Sequence, residues 1–489
     1  MSVTTPAAFA KNVGWSLIGK LVPIGVAVAC IPILINGLGL ESFGILSVVW
    51  LLIGQLSLLD FGVPRAVIHL LSKRDSADTS VLVATSSTLI LTITAGVAVV
   101  LGFVAPWLAN DVFQVKASQI PDAIRSIWIV ALVFPLITVS GVYRGVLEYH
   151  HDFKSINLLQ IIAGILGYGL PAIYVGAGGG LVGVVGIMSF VRLANSVGYV
   201  VLTRRLGVTV SLKPMFNPLM LRELVGYTSW IALTNFLSPL AANLDRILIA
   251  SYLTMTAVSL YAAPLEVITK LGVLIFSITT VLFPVLSRAS GVHFNKSNQI
   301  YERVGKLIMI VAFMASYNII LLSDVFLGLW LGESFSGESA LLLRVLGVSL
   351  FMNALAQAPF SYLQSSGFPK VTAKVSMIQA PLMMLLVALG LYSGGLLGAA
   401  IARTVSLGVD AILLTNACSR STQAKLSKTT TAVTGFLTIL LAWMCIYPAQ
   451  SSTGLGLGLA AQILIVGLLV HYLFDSEEKR ILTRLLQRT

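Results

Sequence analysis

Apolar runs long enough to cross a membrane follow one another along nearly the whole chain, and this recurrence restricts the fold more than any other feature. A span needs roughly 20 apolar residues, because the hydrocarbon core is about 30 Å thick and a helix rises about 1.5 Å per residue. Fourteen such runs are read, near residues 13–37, 43–72, 79–106, 121–147, 155–177, 180–203, 221–249, 256–287, 302–331, 337–364, 370–392, 395–418, 430–449 and 453–474. Of the 489 residues 57% are apolar and 10% charged. Soluble proteins carry about 25% charged residues. The mean hydropathy is +0.94. So few charges cannot solvate a globular surface, which excludes a soluble enzyme, a secreted disulfide scaffold and a disordered chain. The expected fold is an all-α polytopic membrane protein of about 14 transmembrane helices.

The formal net charge of +12 sits mainly on one side of these spans. The N-terminus, the even-numbered loops and the C-terminal tail hold 21 of the 31 Lys and Arg residues, among them Arg204, Arg205, Lys213, Arg222, Lys370 and Lys479. The odd-numbered loops hold only Lys116, beside Glu41, Asp111, Asp122, Glu333 and Glu338. Such asymmetry places both termini in the cytoplasm. A missed span would scramble the alternation, so it also supports the count. The charge is read as topology control, with no nucleic-acid partner. Cys30, Cys418 and Cys445 are scattered in or near apolar segments and imply neither a disulfide framework nor a zinc site. His69, His150, His151, His293 and His471 show no ligand spacing, so no metal and no cofactor are expected. The first run is a full span without a small-residue cleavage site, so no cleavable signal is expected. The longest outer loop, 107–120, has no His and no Arg, too little to hold the acid, base and binding groups of an outer-face enzyme.

The first six spans and the next six look like copies. Pro23 and Pro239 sit at corresponding depths; Leu147-Glu148 and Leu363-Gln364 end the fourth and tenth spans; Lys154 and Lys370 follow at the same offset. GGLVGVV (179–185) matches GGLLGAA (394–400), and Trp107-Leu108 closes the third span as Trp330-Leu331 closes the ninth. The expected organisation is an N-lobe at 1–203, a cytoplasmic linker at 204–220, a C-lobe at 221–418, and two further spans with a basic tail at 419–489. Six spans is an even number, so the copies enter the membrane in the same direction, and substrate sites of parallel repeats lie between the halves. Pro23 and Pro239, each mid-helix, remove a backbone hydrogen bond and permit a bend.

The stretch GLGLESFGILSVVWLLIGQLSLLDFGVPRAV (37–67) carries a family resemblance. It resembles the polysaccharide-transporter branch of the multidrug/oligosaccharidyl-lipid/polysaccharide flippase superfamily, the O-antigen flippases. Those proteins have a Leu-Gly-x-Glu-x-Phe-Gly turn, here Leu38, Gly39, Glu41, Phe43 and Gly44, followed by Leu59, Asp60, Phe61, Gly62, Arg65 and Ala66. Further echoes are VLFPVLSR (281–288) and GGLLGAAIA (394–402), and the similarity runs over roughly residues 10–420. The resemblance implies an inner-membrane flippase that moves an undecaprenyl-diphosphate-linked oligosaccharide from the cytoplasmic to the periplasmic leaflet. It also implies polymerase and chain-length proteins of the same pathway as partners. The multidrug branch often carries an acid in the first span, where this chain has Lys20. Lipid II flippases carry several arginines in the first two spans, where this chain has Lys20 and Arg65 only. Their two extra spans offer a groove to the polyprenyl tail; the charge-free runs 430–449 and 453–474 do likewise or serve as accessory packing.

Charges at membrane depth cost roughly 2.5–3.5 kcal/mol or more near a helix centre, so they face a cavity or a partner. The deep bases are Lys20, Arg65, Arg192, Lys270, Arg344 and Arg403, and the deep acids are Asp60, Glu266 and Asp410. A diphosphate needs such an excess of positive charge, whereas an exporter of cationic drugs needs the opposite sign. Lys20, Arg65 and Lys270 are the headgroup candidates. Arg65 lies about 11 Å to the cytoplasmic side of its span's midpoint. Asp60 and Glu266 are the coupling-ion or proton candidates, Glu266 also standing one turn from Lys270 as a pairing partner. Asp245 and Arg246 are candidates for an outer gate. Arg192, Arg344, Arg403 and Asp410 are taken as structural or cavity charges.

The sequence is therefore read as a flippase working by alternating access, driven by an ion gradient or the membrane potential, with no covalent chemistry. No Gly-rich phosphate loop ending in Lys-Ser/Thr is present. One alternative is a multidrug or small-solute antiporter of the same fold, which would need acids in its cavity. The other is a membrane-embedded polysaccharide polymerase or ligase, which would need a large outer loop with Arg and His.

Overall fold

The structure, a computed structural model, describes residues 6–56, 79–150, 152–208, 245–289, 294–366, 368–422, 426–447 and 452–474, with the single positions 63, 67, 70, 71, 215, 217, 218, 220–222, 224 and 424. Among the described residues every regular element is helical. Among these residues nine helices are long and apolar enough to cross a membrane, and Val22–Leu38 and Leu40–Ile53 add two shorter apolar stretches. The chain is an all-α polytopic membrane protein.

By packing it divides into two compact units, Met1–Ala262 and Ala263–Thr489. The first contains α1 (Pro6–Leu38), α2 (Leu40–Leu56), α3 (Thr79–Trp107), α4 (Ile120–Tyr149), α5 (Phe153–Gly176) and α6 (Leu181–Arg205). A single π-turn, Leu108–Val112, prolongs α3. The unit ends with a helical stretch at 245–252 and the first two turns of α7 (Met255–Ala289). The second unit holds the rest of α7, then α8 (Phe294–Leu331), α9 (Glu333–Ser365), α10 (Pro369–Thr422), α11 (Lys428–Ile446) and α12 (Ser452–Leu473). These bounds fall within a few residues of most spans read from the sequence, α8 starting earlier; the run 221–249 and Pro239 lie largely or wholly outside the described residues.

Local chemistry sets the ends. The Asp152 side chain accepts from the Ser155 N–H to start α5, and Ser427 accepts from Thr430 to start α11. Gly39 (φ +79°) turns the chain between α1 and α2, and Gly332 (φ +95°) between α8 and α9. Several hydroxyls inside the spans bond back to their own helix, as Thr94 does to Ile90 O and Thr138 to Phe134 O. Trp107, Tyr252, Tyr392 and Tyr447 are exposed at the helix ends that the charge pattern assigns to the outer side, and Tyr149 and Tyr472 at the opposite ends. Aromatic rings of this kind settle at headgroup level.

The 54-residue α10 is about 80 Å of helix by rise alone, far beyond one membrane thickness. It is two antiparallel limbs, broken where Gly394 (φ −145°) and Gly395 (φ +57°) leave helical geometry. Its limbs meet backbone to backbone, since a Cβ on Gly398 would lie 2.0 Å from the Gly390 carbonyl oxygen. The matching motif after α5 does the same work, with Gly179 and Gly183 packed beneath the Tyr174 ring. The repeated glycines thus have a shared physical cause, a tight hairpin between successive spans. Leu147 and Leu363, also matched in the repeat, are both fully buried.

In the first unit α1 packs along α5, with the Pro23 ring seated on Gly164 and Val175 covering Gly37. Pro23 lies inside a continuous α1. In the second unit α8, α9 and α10 pack in series, and α11 and α12 dock on α8. Tyr317 donates to Gly458 O at 2.9 Å, Gln462 to Met314 O at 3.1 Å, and Gly458 abuts Leu321. The last two helices are thereby built into that unit.

Candidate functional site

The turn motif between α1 and α2 builds a polar corner at one end of the first unit. Lys116 pairs with Glu41 at 2.7 Å, and Gln119 donates to Ser42 at 3.2 Å. Phe43 is fully buried, edge-on to Trp50 at 5.8 Å. Gly44 lies against the start of α7, where a Cβ would come within 2.0 Å of the Met255 carbonyl oxygen. Ser259, fully buried on α7, donates to Leu40 O. Gln114, held at φ +45°, donates to Ser251 O at 3.2 Å. A non-glycine residue in that region is strained, and here the strain accompanies a tertiary contact. These contacts explain why residues 245–262 group with the first unit although they follow the polar joint at 204–220.

Asp245 and Arg246 lie within this same segment, at 0% and 5% exposure. Asp245 accepts from the Tyr261 phenol at 2.6 Å and from the Arg246 backbone N–H at 2.9 Å. A buried carboxylate requires such donors, and the short charge-assisted bond ties the stretch 245–252 to α7. Tyr261 was not legible as its partner because the two are 16 residues apart on different helices.

Glu266 and Lys270 come together on α7, with Nζ 3.7 Å from Oε2 and side chains 16% and 26% exposed. That distance is an ion pair without a close hydrogen bond. Lys20 lies on α1, and its side chain is outside the described residues; so are Asp60 and Arg65 entirely. Arg192 lies on α6, beside a small enclosed space lined by Ile53, Val130, Val133, Phe134, Ile137 and Ser189. One turn earlier Met188 receives the Trp50 indole N–H, so this tryptophan's polar edge is engaged in packing.

In the second unit Arg344 of α9 is clamped to α8, pairing with Asp324 and donating to Ser323 at 2.9 Å. Asp324 is an acid the depth reading omitted; its place on α8 near Trp330-Leu331 was the available signal. Arg403, Ser406 and Asp410 fall along one face of the second limb of α10, where Gln379 of the first limb donates to Ser406 O and Oγ, both at 2.9 Å. Asp410 has no ion-pair partner among the described residues. Elsewhere α8, α9, α10 and α11 enclose an apolar groove of about 510 Å³, lined by residues such as Met309, Met352, Pro359, Ile412, Thr434 and Ile439. Thr434 and Thr438, both in its lining, bond back to their own helix, and the Thr434 hydroxyl also reaches Met309 Sδ at 3.2 Å.

Nothing in these clusters resembles a metal centre, for no group of three His, Cys, Asp or Glu converges among the described residues. Residues 9–290, more than half of the chain, match the family described as polysaccharide biosynthesis protein. The chain belongs to that family. This member is 28% identical over 423 residues to a Shigella flexneri protein named "Putative O-antigen transporter", covering 83% of this chain and 96% of that one. Its fold is similar to the solved lipid II flippase MurJ in an inward closed conformation, with a TM-score of 0.73 at 13% identity, over 94% of this chain and 98% of that one. It is also similar to an inward-facing multidrug resistance transporter of the MATE family of the MOP superfamily, with a TM-score of 0.65 at 15% identity, over 87% and 95%. The family member therefore has the multi-pass fold of the MOP transporters.

Proposed function

We propose that this protein is a flippase for a polyprenyl-diphosphate-linked oligosaccharide, an O-antigen or other polysaccharide repeat unit, in the bacterial inner membrane with both termini cytoplasmic. The observation that carries the reading is the sign of the charge held at membrane depth. Six bases, Lys20, Arg65, Arg192, Lys270, Arg344 and Arg403, stand against the acids Asp60, Glu266 and Asp410, with Asp324 engaged to Arg344. An anion can cross a low-dielectric path only if such charge compensates it. Family membership and the transporter named among its relatives support the same reading.

Lys20, Arg65 and Lys270 would receive the diphosphate, Lys270 by exchanging its 3.7 Å contact with Glu266 for closer bonds to phosphate oxygens. Glu266 and Asp60 would take the coupling ion or proton. The mainly apolar lining of the groove among α8–α11 suits a polyprenyl tail. Alternating access would drive the cycle, with polymerase and chain-length proteins as downstream partners. The test is leaflet transfer of a fluorescent polyprenyl-diphosphate oligosaccharide in proteoliposomes, read with an impermeant quencher. Intact protein transfers it, and Lys20→Ala and Arg65→Ala lose transfer. No transfer by folded protein across several glycans, with an imposed ion gradient, sinks the flippase and favours an antiporter.

A further inference from the structure

The two compact units divide at Ala262–Ala263, two turns into the continuous helix α7, and not in a loop. The segment 245–262 before the division is fixed to the rest of the first unit by three contacts and to itself by a fourth. Gly44 admits the Met255 carbonyl with no room for a side chain. Ser259 donates to Leu40 O, and Gln114 to Ser251 O. Tyr261 closes the segment on itself through Asp245. Met255, Ser259, Tyr261, Ala262 and Ala263 are all 2% exposed or less. Pro264 follows the division with one residue, Ala263, between them. Proline has no N–H to give to the preceding turn and its ring crowds that turn's carbonyl, so a helix bends most readily there. A permanent anchor on one side and a weak point on the other, one residue beyond the packing boundary, are the parts of a hinge.

We propose that α7 bends at Pro264 during transport, and that residues 245–262 travel with the first unit throughout the cycle. The inference rests on the alternating-access reading and deepens it: the outer ends of the seventh and eighth spans, though they follow the sequence joint, are fixed furniture of the α1–α2 corner, and Glu266 and Lys270 ride on the moving side. The Asp245–Arg246 pair then braces the anchor and does not open as a gate.

Two measurements test it, in protein whose native cysteines are replaced. Cross-linking Gln114→Cys to Ser251→Cys leaves leaflet transfer within about twofold of the reduced protein; transfer that stops on cross-linking and returns on reduction overturns the proposal. Pro264→Ala lowers transfer at least about tenfold without lowering the melting temperature; wild-type transfer by that variant overturns it. Spin-label distances in liposomes separate the hinge from the flippase reading. Labels at Arg125→Cys and Tyr252→Cys give one distance population, and labels at Tyr252→Cys and Leu329→Cys give two, reduced to one by Pro264→Ala. Two populations for the first pair, or one for the second in otherwise intact protein, count against the hinge. If the distances behave as expected while no lipid-linked glycan crosses, the hinge stands and the substrate assignment falls.

Discussion

The Tyr261 hydroxyl donates to Asp245 Oδ2 across 2.6 Å, and neither side chain reaches solvent or lipid. A carboxylate so enclosed depends on each donor it has. Tyr261→Phe removes the phenol and leaves the acid short of a partner, a loss of about 1–3 kcal/mol. The expected outcome is a lower melting temperature in detergent, with Asp245→Asn/Tyr261→Phe less destabilised than the sum of the single changes. Additive losses would mean that the two side chains act separately.

Lys270 and Glu266 separate under mutation because their proposed roles differ. Lys270→Ala lowers initial transfer rates about tenfold or more, equivalent to about 1.4 kcal/mol. Glu266→Gln keeps exchange of lipid-linked glycan between leaflets but no longer responds to an imposed ion gradient. Equal loss of both activities in both variants would point to a structural ion pair.

Glycine positions divide by what a methyl group meets. Gly398→Ala drives a Cβ into the Gly390 carbonyl, and Gly390→Ala meets Gly398 in turn. Both lose folded protein in fluorescence-detected size exclusion, the penalty standing at the upper end of the roughly 1–3 kcal/mol for overpacking, or above it. Gly467→Ala on α12, with nothing within 4 Å of the new atom, is neutral or slightly stabilising.

Filling the apolar groove tests its occupant. Gly435 lines it, with open space where a side chain would begin. Gly435→Trp slows transfer of a long-chain polyprenyl substrate while a short-chain analogue crosses at the wild-type rate. Equal slowing of both would remove the tail from this groove.

Much of the architecture was legible because the bilayer leaves a helix few alternatives. An apolar run must satisfy its own backbone, so the bounds of α3, α4, α5 and α6 follow from where polar residues begin. The gap read between the runs 370–392 and 395–418 falls where Gly394 and Gly395 break α10. The ion pair of Glu266 with Lys270 was legible too, since one helical turn separates them. Less could be read where partners are remote in sequence. Asp324 meets Arg344 across two helices, and Gly44 meets Met255 across most of the first unit.

The sequence by itself determined that the chain is helical and where most of its spans begin and end. Those properties depend on local composition and on distances along one helix. Only the tertiary structure decided where the chain divides, because the boundary depends on which surfaces fit. Met255, Ser259 and Tyr261 look like any residues of an apolar span; a glycine gap, a carbonyl at Leu40 and a buried carboxylate at Asp245 hold them to the first unit.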